Sequence, residues 1–309
     1  MGKAKILMKD IGEFGLIGQI KKMTPKNSRV SVGIGDDTAV IRLNAAKDIL
    51  FTTDMLIEDR HFKLRDASPF EIGWKAMAVN ISDIAAMGGV PTYAVVSVGL
   101  RKNLSVRFIK DIYRGLKAAA GRFNVAIVGG DTNRSDKIVI SVALLGEVGR
   151  GRALRRSGAR LGDIVFVSGF LGGSYASKKH LKFIPRIKES QFLKKYFKIN
   201  AMIDLSDGLA SDARRIAEES SVGVLLSEEA IPVSKGATLN QALTEGEDFE
   251  LLFTLSPKEA ARLTSKTIKN SLVPFRAVGK IVNKKYGIKI VGCDGKAKPL
   301  LKTGFDHFI

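Results

Sequence analysis

Six short acidic stretches interrupt a chain that is otherwise strongly basic, and any fold of this chain has to accommodate them. They are Gly35-Asp36-Asp37, Thr52-Thr53-Asp54, Ser82-Asp83, Gly129-Gly130-Asp131-Thr132, Asp204-Leu205-Ser206-Asp207-Gly208 and Gly246-Glu247-Asp248. Most stand where a hydrophobic segment gives way to Gly, Ser or Thr. Carboxylates brought together repel one another, so a fold that gathers them needs a counter-charge. Hard divalent cations such as Mg²⁺ are the usual one, and Mg²⁺ commonly arrives with phosphate. The pattern predicts a metal–nucleotide site assembled from segments far apart in sequence.

The basic excess narrows the partners. A formal net charge of +19 over 309 residues implies attraction for anions, whether nucleic acid, a membrane surface or phosphorylated small molecules. Basic residues crowd Lys178-Lys179-His180-Leu181-Lys182 and Lys194-Lys195-Tyr196-Phe197-Lys198, where a solvated surface is the plain expectation. The single cysteine, Cys293, excludes an internal disulfide framework and a multi-cysteine zinc site, and a cytoplasmic location is expected. The apolar run after Met1 is too short for a signal peptide, and no stretch approaches the roughly 20 apolar residues of a membrane span.

The length favours two domains. Residues 30–53 read as short strands, with Val30, Val32 and Ile34 alternating and Ile49-Leu50-Phe51 continuous. Ser68-Pro69-Phe70-Glu71 is a helix start, with a Ser cap, Pro in the first turn and an acid three residues on. That helix is expected to run to about Met87 and stop at Gly88-Gly89. Residues 92–100 read as a buried strand, 105–122 as an amphipathic helix, 125–128 as a short strand ending at Gly129-Gly130, and 138–145 as another strand. The Gly- and Arg-rich stretch 146–162 breaks the pattern. The boundary is set there, giving domains 1–150 and 151–309. Beyond it come a strand at 164–167, a glycine turn at 169–173, a helix from about Ser174, a helix opened by Ser206-Asp207-Gly208, strands at 222–226, 249–254 and 277–281, and a helix begun by Ser256-Pro257. The class is mixed α/β in two domains.

Taken singly, the acidic stretches have ordinary readings beside the chemical one. Gly35-Asp36-Asp37, Gly129-Gly130-Asp131-Thr132 and Gly246-Glu247-Asp248 also suit turns. Thr52-Thr53-Asp54 offers hydroxyl and carboxylate oxygens for Mg²⁺, or a strand-end turn. Asp83 is more demanding, because its helix is otherwise apolar and a carboxylate there needs a partner. In the Asp204–Gly208 stretch, Ser206 or Asp207 is expected to cap the next helix, whose free N–H groups favour phosphate. Capping explains one of the two acids only. Arg155-Arg156-Ser157-Gly158 supplies fixed charge for phosphate, with either arginine a candidate. There is no Gly-x-x-x-x-Gly-Lys-Ser/Thr loop, no protein-kinase catalytic loop and no Ser-His-Asp or Cys-His signature.

As an ordered set, these stretches resemble the thiamine-monophosphate kinases, of the superfamily that includes aminoimidazole ribonucleotide synthetase. The resemblance is carried by Ile11-Gly12-Glu13-Phe14, Gly35-Asp36-Asp37, Thr53-Asp54 with His61-Phe62, Asn80-Ile81-Ser82-Asp83 through Gly88, Gly129-Gly130-Asp131-Thr132, Arg156-Ser157-Gly158, Asp204 with Ser206-Asp207-Gly208-Leu209, Gly246-Glu247-Asp248-Phe249 and the terminal Gly304-Phe305-Asp306-His307-Phe308. It implies an N-terminal α/β domain that forms a homodimer by joining sheets, followed by a C-terminal α/β domain. It also implies transfer of the ATP γ-phosphoryl group to thiamine phosphate on several Mg²⁺ ions, with a monovalent cation as an optional further ion. By the family pattern, Asp36, Thr52, Thr53, Asp54, Asp83, Asp131 and Asp204 hold Mg²⁺, with Asp207 on a further ion. Gly130, Asp131, Arg156 and Ser206 meet ATP, and His61, Glu247 and Phe305 meet thiamine phosphate. The resemblance implies no nucleic-acid or membrane partner. Three rival readings stand beside it: aminoimidazole ribonucleotide synthetase activity, a basic nucleic-acid-binding protein and a non-catalytic metal-binding protein.

Overall fold

The computed structural model describes residues 8–23, 27–265 and 273–300. Phe305 and the rest of the terminal motif lie outside the described residues. The first half of the chain forms α1 (Met8–Met23), β1 (Val30–Val32), β2 (Ala39–Arg42), β3 (Lys47–Ile57), α2 (Pro69–Ala86), β4 (Val90–Leu100), α3 (Val106–Arg122), β5 (Ala126–Arg134) and β6 (Val139–Gly149). The second half forms β7 (Ile164–Ser168), α4 (Lys179–Lys182), α5 (Ile187–Tyr196), β8 (Ile199–Asp204), α6 (Leu209–Ser220), β9 (Gly223–Ser227), α7 (Leu239–Thr244), β10 (Leu251–Leu255), α8 (Pro257–Ser265), β11 (Phe275–Val282), β12 (Ile288–Val291) and β13 (Ala297–Pro299).

Each half builds its own sheet. The first has the order β1-β2-β3-β6-β4-β5, antiparallel except for the β4–β5 pair. The second has the order β13-β12-β9-β11-β7-β10-β8, antiparallel except for the β9–β12 pair. The mixed α/β class read from the sequence is the observed one.

α2 begins as its sequence dictates. Ser68 Oγ accepts the Glu71 N–H at 3.3 Å, and Glu71 Oε2 accepts the Ser68 N–H at 2.8 Å. These reciprocal bonds satisfy two of the first-turn donors that a helix leaves free. α2 and α3 cover one face of the first sheet, and Ile72, Met77, Ile81 and Ile84 pack on Val96, Val98, Ile140, Val142 and Leu144. The helices cross at Gly73 and Gly115. A Cβ on either glycine would lie 1.9 Å from a carbonyl oxygen of the other helix, Ile112 O or Phe70 O. A residue without a side chain at both positions is what lets the axes come this close.

Three expectations need correction. The 92–100 strand is buried on one face only. Ala94, Val96 and Val98 point into the core, while Tyr93 and Val95 are 52% and 41% exposed. Tyr93 and Phe51 both pair with Leu145, so Phe51, Met55, Tyr93 and Val95 share the uncovered side of the sheet. A continuous apolar run does not reveal that one face lacks a cover within the chain. Second, the strand at 125–128 does not end at Gly129-Gly130. β5 continues to Arg134 because β4 pairs with it in parallel as far as Leu100. Gly130 belongs to that pairing, since a Cβ there would meet Val96 O at 1.9 Å. Third, no helix starts at Ser174. Residues 174–178 are turns, Lys178 has a left-handed φ of 56°, and Pro185 separates α4 from α5.

The basic stretch 178–198 is more than a solvated surface. Arg186 donates two bonds to Glu250, at 2.6 and 2.5 Å. Ser190 Oγ donates to Ala85 O at 2.5 Å, Gln191 Nε2 to Gly89 O at 2.8 Å and Lys194 Nζ to Gly88 O at 2.7 Å. Those carbonyls are at and just beyond the C-terminal end of α2, where a helix runs out of its own donors. The segment therefore ties the end of α2 to the second sheet.

Candidate active site

α2 brings the chemistry of the first half into one line. Lys75, Val79 and Asp83 recur every four residues and lie along one stripe of the helix. The stripe faces a cleft of about 850 Å³ between the two sheets. The cleft is lined by Asp36, Asp37, Thr52, Thr53, Asp54, His61, Asp83, Arg156, Asp204, Ser206, Asp207 and Glu247, along with Glu13, Tyr175 and Phe249. Eleven residues expected from the sequence to hold Mg²⁺, ATP or thiamine phosphate therefore line one cavity: Asp36, Thr52, Thr53, Asp54, Asp83, Asp204, Asp207, Arg156, Ser206, His61 and Glu247.

The carboxylates meet at its base. One oxygen each from Asp37, Asp83 and Asp204 lies within 4.8 Å of the others. Asp204 is the last residue of β8, and its Oδ2 accepts Ser82 Oγ at 2.6 Å. Asp83 Oδ2 accepts Thr52 Oγ1 at 2.5 Å. Asp37 Oδ1 accepts Arg156 Nη2 at 2.6 Å, while Asp37 Oδ2 is buried with no hydrogen-bond partner. Asp36 stands one step out, and its Oδ1 accepts the Arg156 backbone N–H at 3.1 Å. Asp54 lies on the same side of β3 as Thr52, and its N–H donates to the buried Asn80 Oδ1 at 2.9 Å.

Gathering these acids costs ionisation. Burial, then the Asp37 charge, pushes Asp36 up to about 7. Burial, then Asp37, likewise takes Asp204 to about 7. Burial, then Asp207 and Asp37, takes Asp54 to about 6. Asp83 is raised well above the ordinary carboxylate value by burial, then by Asp54 and Asp204. An oxygen-only donor set with crowded negative charge and an orphaned buried oxygen fits a hard divalent cation such as Mg²⁺.

Arg156, not Arg155, faces this cluster. Arg155 is exposed and lines a separate cavity with Arg42 and Arg150. At the other end of the cleft, the His61 Nδ1 accepts the Ile57 N–H at 3.0 Å, so in the neutral ring Nε2 carries the proton. Two expected residues are elsewhere. Gly130 and Asp131 are not among the residues lining the cleft, and Asp131 is exposed with Asn133 Nδ2 donating to it at 2.5 Å. Asp131 pairs with Ser97 in register, on the uncovered side of the sheet, roughly 14 Å from β3 at ~4.8 Å per strand. Thr53 borders the cleft, but its side chain points to that uncovered side, with its Oγ1 3.5 Å from Ser141 Oγ.

The expected cap of α6 is also corrected. Gly208 occupies the cap with φ 97° and no side-chain bond. The Asp207 N–H donates instead to the buried Asp212 Oδ2 at 3.1 Å, and Arg215 pairs with both Asp207 and Asp212. Three residues of the site were not singled out by the sequence. Asp37 was hidden by its neighbour Asp36. Asp212 sits five residues past Asp207, one turn into α6. Lys75 is a lone lysine in an apolar helix, eight residues before Asp83 on the same face; that spacing was the available signal.

Comparison with known proteins places this geometry. Residues 35–148 match the family of AIR synthase related proteins, N-terminal domain, and residues 138–291 match its C-terminal domain. The thiamine-monophosphate kinase of Bacillus subtilis is 36% identical over 324 residues, covering 96% of this chain and 99% of that one. That of Aquifex aeolicus is 40% identical over 281 residues, covering 82% and 88%. The chain belongs to the thiamine-monophosphate kinase family. Among solved structures, AaThiL complexed with AMPPCP and TMP superposes with a TM-score of 0.83 at 35% identity, covering 99% of this chain and all of that one. The Escherichia coli hydrogenase maturation protein HypE, at 21% identity and a TM-score of 0.68, shares the fold. No helix among the described residues is long and apolar enough to cross a membrane.

Proposed function

We propose that this chain transfers the γ-phosphoryl group of ATP to the phosphate of thiamine phosphate, giving thiamine diphosphate and ADP. The observation that carries the reading is the meeting of Asp37, Asp83 and Asp204 within 4.8 Å at the base of a cleft that also holds Arg156, His61 and Glu247. Family members of near-equal length carry the same name, and the related AaThiL structure holds an ATP analogue together with TMP. The γ-phosphorus bond to the ADP oxygen breaks as a bond to the acceptor phosphate oxygen forms. That oxygen is already ionised near neutral pH, so no strong general base is required. Positioning and charge neutralisation are the main demands of the reaction.

In this reading Asp37, Asp83 and Asp204, with Asp36, Asp54 and Thr52 beside them, hold Mg²⁺. Asp207 serves a further ion. Bound Mg²⁺ neutralises the two anionic substrates and lets their phosphates approach. Arg156 offers its guanidinium, and Ser206 its backbone and hydroxyl, to ATP. His61 presents Nε2–H, and Glu247 its carboxylate, to thiamine phosphate, with Phe305 as an aromatic face for the thiamine ring. The segment 146–162 serves as the boundary between the two domains, and the substrates suit a cytoplasmic enzyme. Purified protein incubated with ATP, Mg²⁺ and thiamine phosphate should form thiamine diphosphate. Thiamine phosphate recovered unchanged would overturn the reading.

Asp131, Gly130 and Thr53 fit the reading through a homodimer. The uncovered side of the first sheet carries Phe51, Met55, Tyr93 and Val95 beside Thr53 and Asp131, a surface that a second copy would bury. Asp131 of the partner subunit would then complete a site that one chain leaves without it. Subunits carrying Asp131→Asn, mixed with subunits carrying Asp204→Asn, should regain activity, because one site of each mixed dimer is intact. Two inactive variants that stay inactive after mixing and re-equilibration would remove this arrangement.

A further inference from the structure

Lys75 is fully buried in α2, yet its ammonium is fully satisfied. It donates to His61 O at 2.7 Å, to Glu247 Oε1 at 2.7 Å and to Glu247 Oε2 at 2.8 Å. Three donors meet three acceptors, and the acceptors come from opposite halves of the chain. Burial pulls the Lys75 pKa down, and the Glu247 carboxylate pushes back against that.

The backbone around Glu247 is strained and tightly held. Glu247 and Phe249 have left-handed φ values of 54° and 50°, a region that disfavours residues bearing a side chain. The Glu247 N–H donates to Ser206 O at 2.7 Å, and Ser174 Oγ donates to Glu247 O at 2.6 Å. The Gly172 N–H donates to Asp248 Oδ2 at 2.8 Å. Phe249 stacks on Phe183 with ring centres 4.0 Å apart. A loop fixed on every side leaves the direction of the Glu247 carboxylate to its side-chain contacts: the Tyr175 hydroxyl, which hydrogen-bonds it from within the same half of the chain, and the Lys75 ammonium, which alone of the two ties it to the half that carries His61 and Asp83. The same ammonium fixes the turn that carries His61. Lys75 is also eight residues from Asp83 on one helical stripe, about 12 Å along the axis at 1.5 Å per residue.

We propose that Lys75 is the positioning residue for the thiamine-phosphate end of the site: it locks His61 and Glu247 to each other and, through α2, at a set distance from the Asp37–Asp83–Asp204 cluster. The inference rests on the reading above, in which His61 and Glu247 meet thiamine phosphate. Lys75 has no exposed surface, so it acts through those two residues and touches no substrate.

The test uses the full chain with saturating Mg²⁺. Lys75→Met should raise the KM for thiamine phosphate roughly 10- to 100-fold, the usual range for losing a supporting contact behind a ligand. The KM for ATP should stay within about twofold. A purely structural role predicts loss of melting temperature with both KM values unmoved, and that result would overturn the proposal. If Lys75→Met does not fold, the double variant Lys75→Met/Glu247→Gln, which buries no unpaired charge, decides. Its KM for thiamine phosphate should exceed that of Glu247→Gln alone by roughly tenfold, because the His61 carbonyl has lost its anchor as well; equality of the two would overturn the proposal. His61→Ala and Glu247→Gln separate the two failures. If both raise the KM for thiamine phosphate and the Lys75 variants do not, the positioning role falls alone. If neither does, the assignment of that end of the cleft falls first.

Discussion

Asp204→Asn should lower kcat on the order of 10²- to 10³-fold, a loss comparable to removing a group that stabilises developing charge, while leaving the chain folded. The amide keeps the size of the carboxylate, and its carbonyl oxygen can still accept the Ser82 hydroxyl that now bonds Asp204 Oδ2 at 2.6 Å. What disappears is one of the three charges that converge on the proposed ion site. The stability effect should have the opposite sign. Asp204 is 3% exposed, and burial followed by the Asp37 charge lifts its pKa to about 7. Without metal at pH 8 the carboxylate is held ionised against both influences, so the amide relieves the fold. Melting curves of metal-free protein at pH 8 should therefore show the variant at or above the unmutated chain, while a coupled assay for ADP shows the loss of turnover. Full activity in Asp204→Asn would contradict its place in the ion site. Loss of activity together with a collapsed melting temperature would reduce Asp204 to a structural role.

Local chemistry was the legible part of this chain. The Ser68–Glu71 box and the Gly88-Gly89 stop are short-range devices, and α2 runs between them as its sequence indicates. Asp83 announced itself because a carboxylate in an apolar helix is costly without a partner. Features set by distant partners were not legible. β5 runs through Gly129-Gly130 because β4 bonds it along its length, which tertiary pairing decides and glycine propensity does not. The stretch 178–198 takes its role from Glu250 and from carbonyls at 85, 88 and 89, all at least 50 residues away. Asp36 and Asp37 are chemically identical neighbours, so nothing in the sequence says which one turns toward Asp83 and Asp204. Lys75 shows the opposite bias. Attention to acids concealed a cation whose position, two helical turns before Asp83, was as informative as theirs.

The acid cluster also predicts how stability should respond to pH and metal. Asp36 and Asp204 are lifted to about 7 and Asp54 to about 6 from an ordinary value of 3.8. Burial is the largest cause for all three, and neighbouring carboxylates add to it. A group whose pKa is raised on folding contributes stability that is fully present below its unfolded value and is lost as pH rises through its folded value. For these three the window runs from about 4 to about 7. Each tenfold change in proton affinity is worth roughly 1.4 kcal/mol, so the loss amounts to several kcal/mol for the metal-free chain. The melting temperature of metal-free protein should therefore fall between pH 5 and pH 7.5. Millimolar Mg²⁺ should restore it at pH 7.5 and change it little at pH 5, where the ion must displace protons to bind. Melts at constant ionic strength, with NaCl replacing MgCl₂ in the controls, separate this from general screening of a +19 chain. A metal-free melting temperature that is flat or rising over this range, with an equal Mg²⁺ effect at both ends, would mean that these carboxylates are not the ion's ligands.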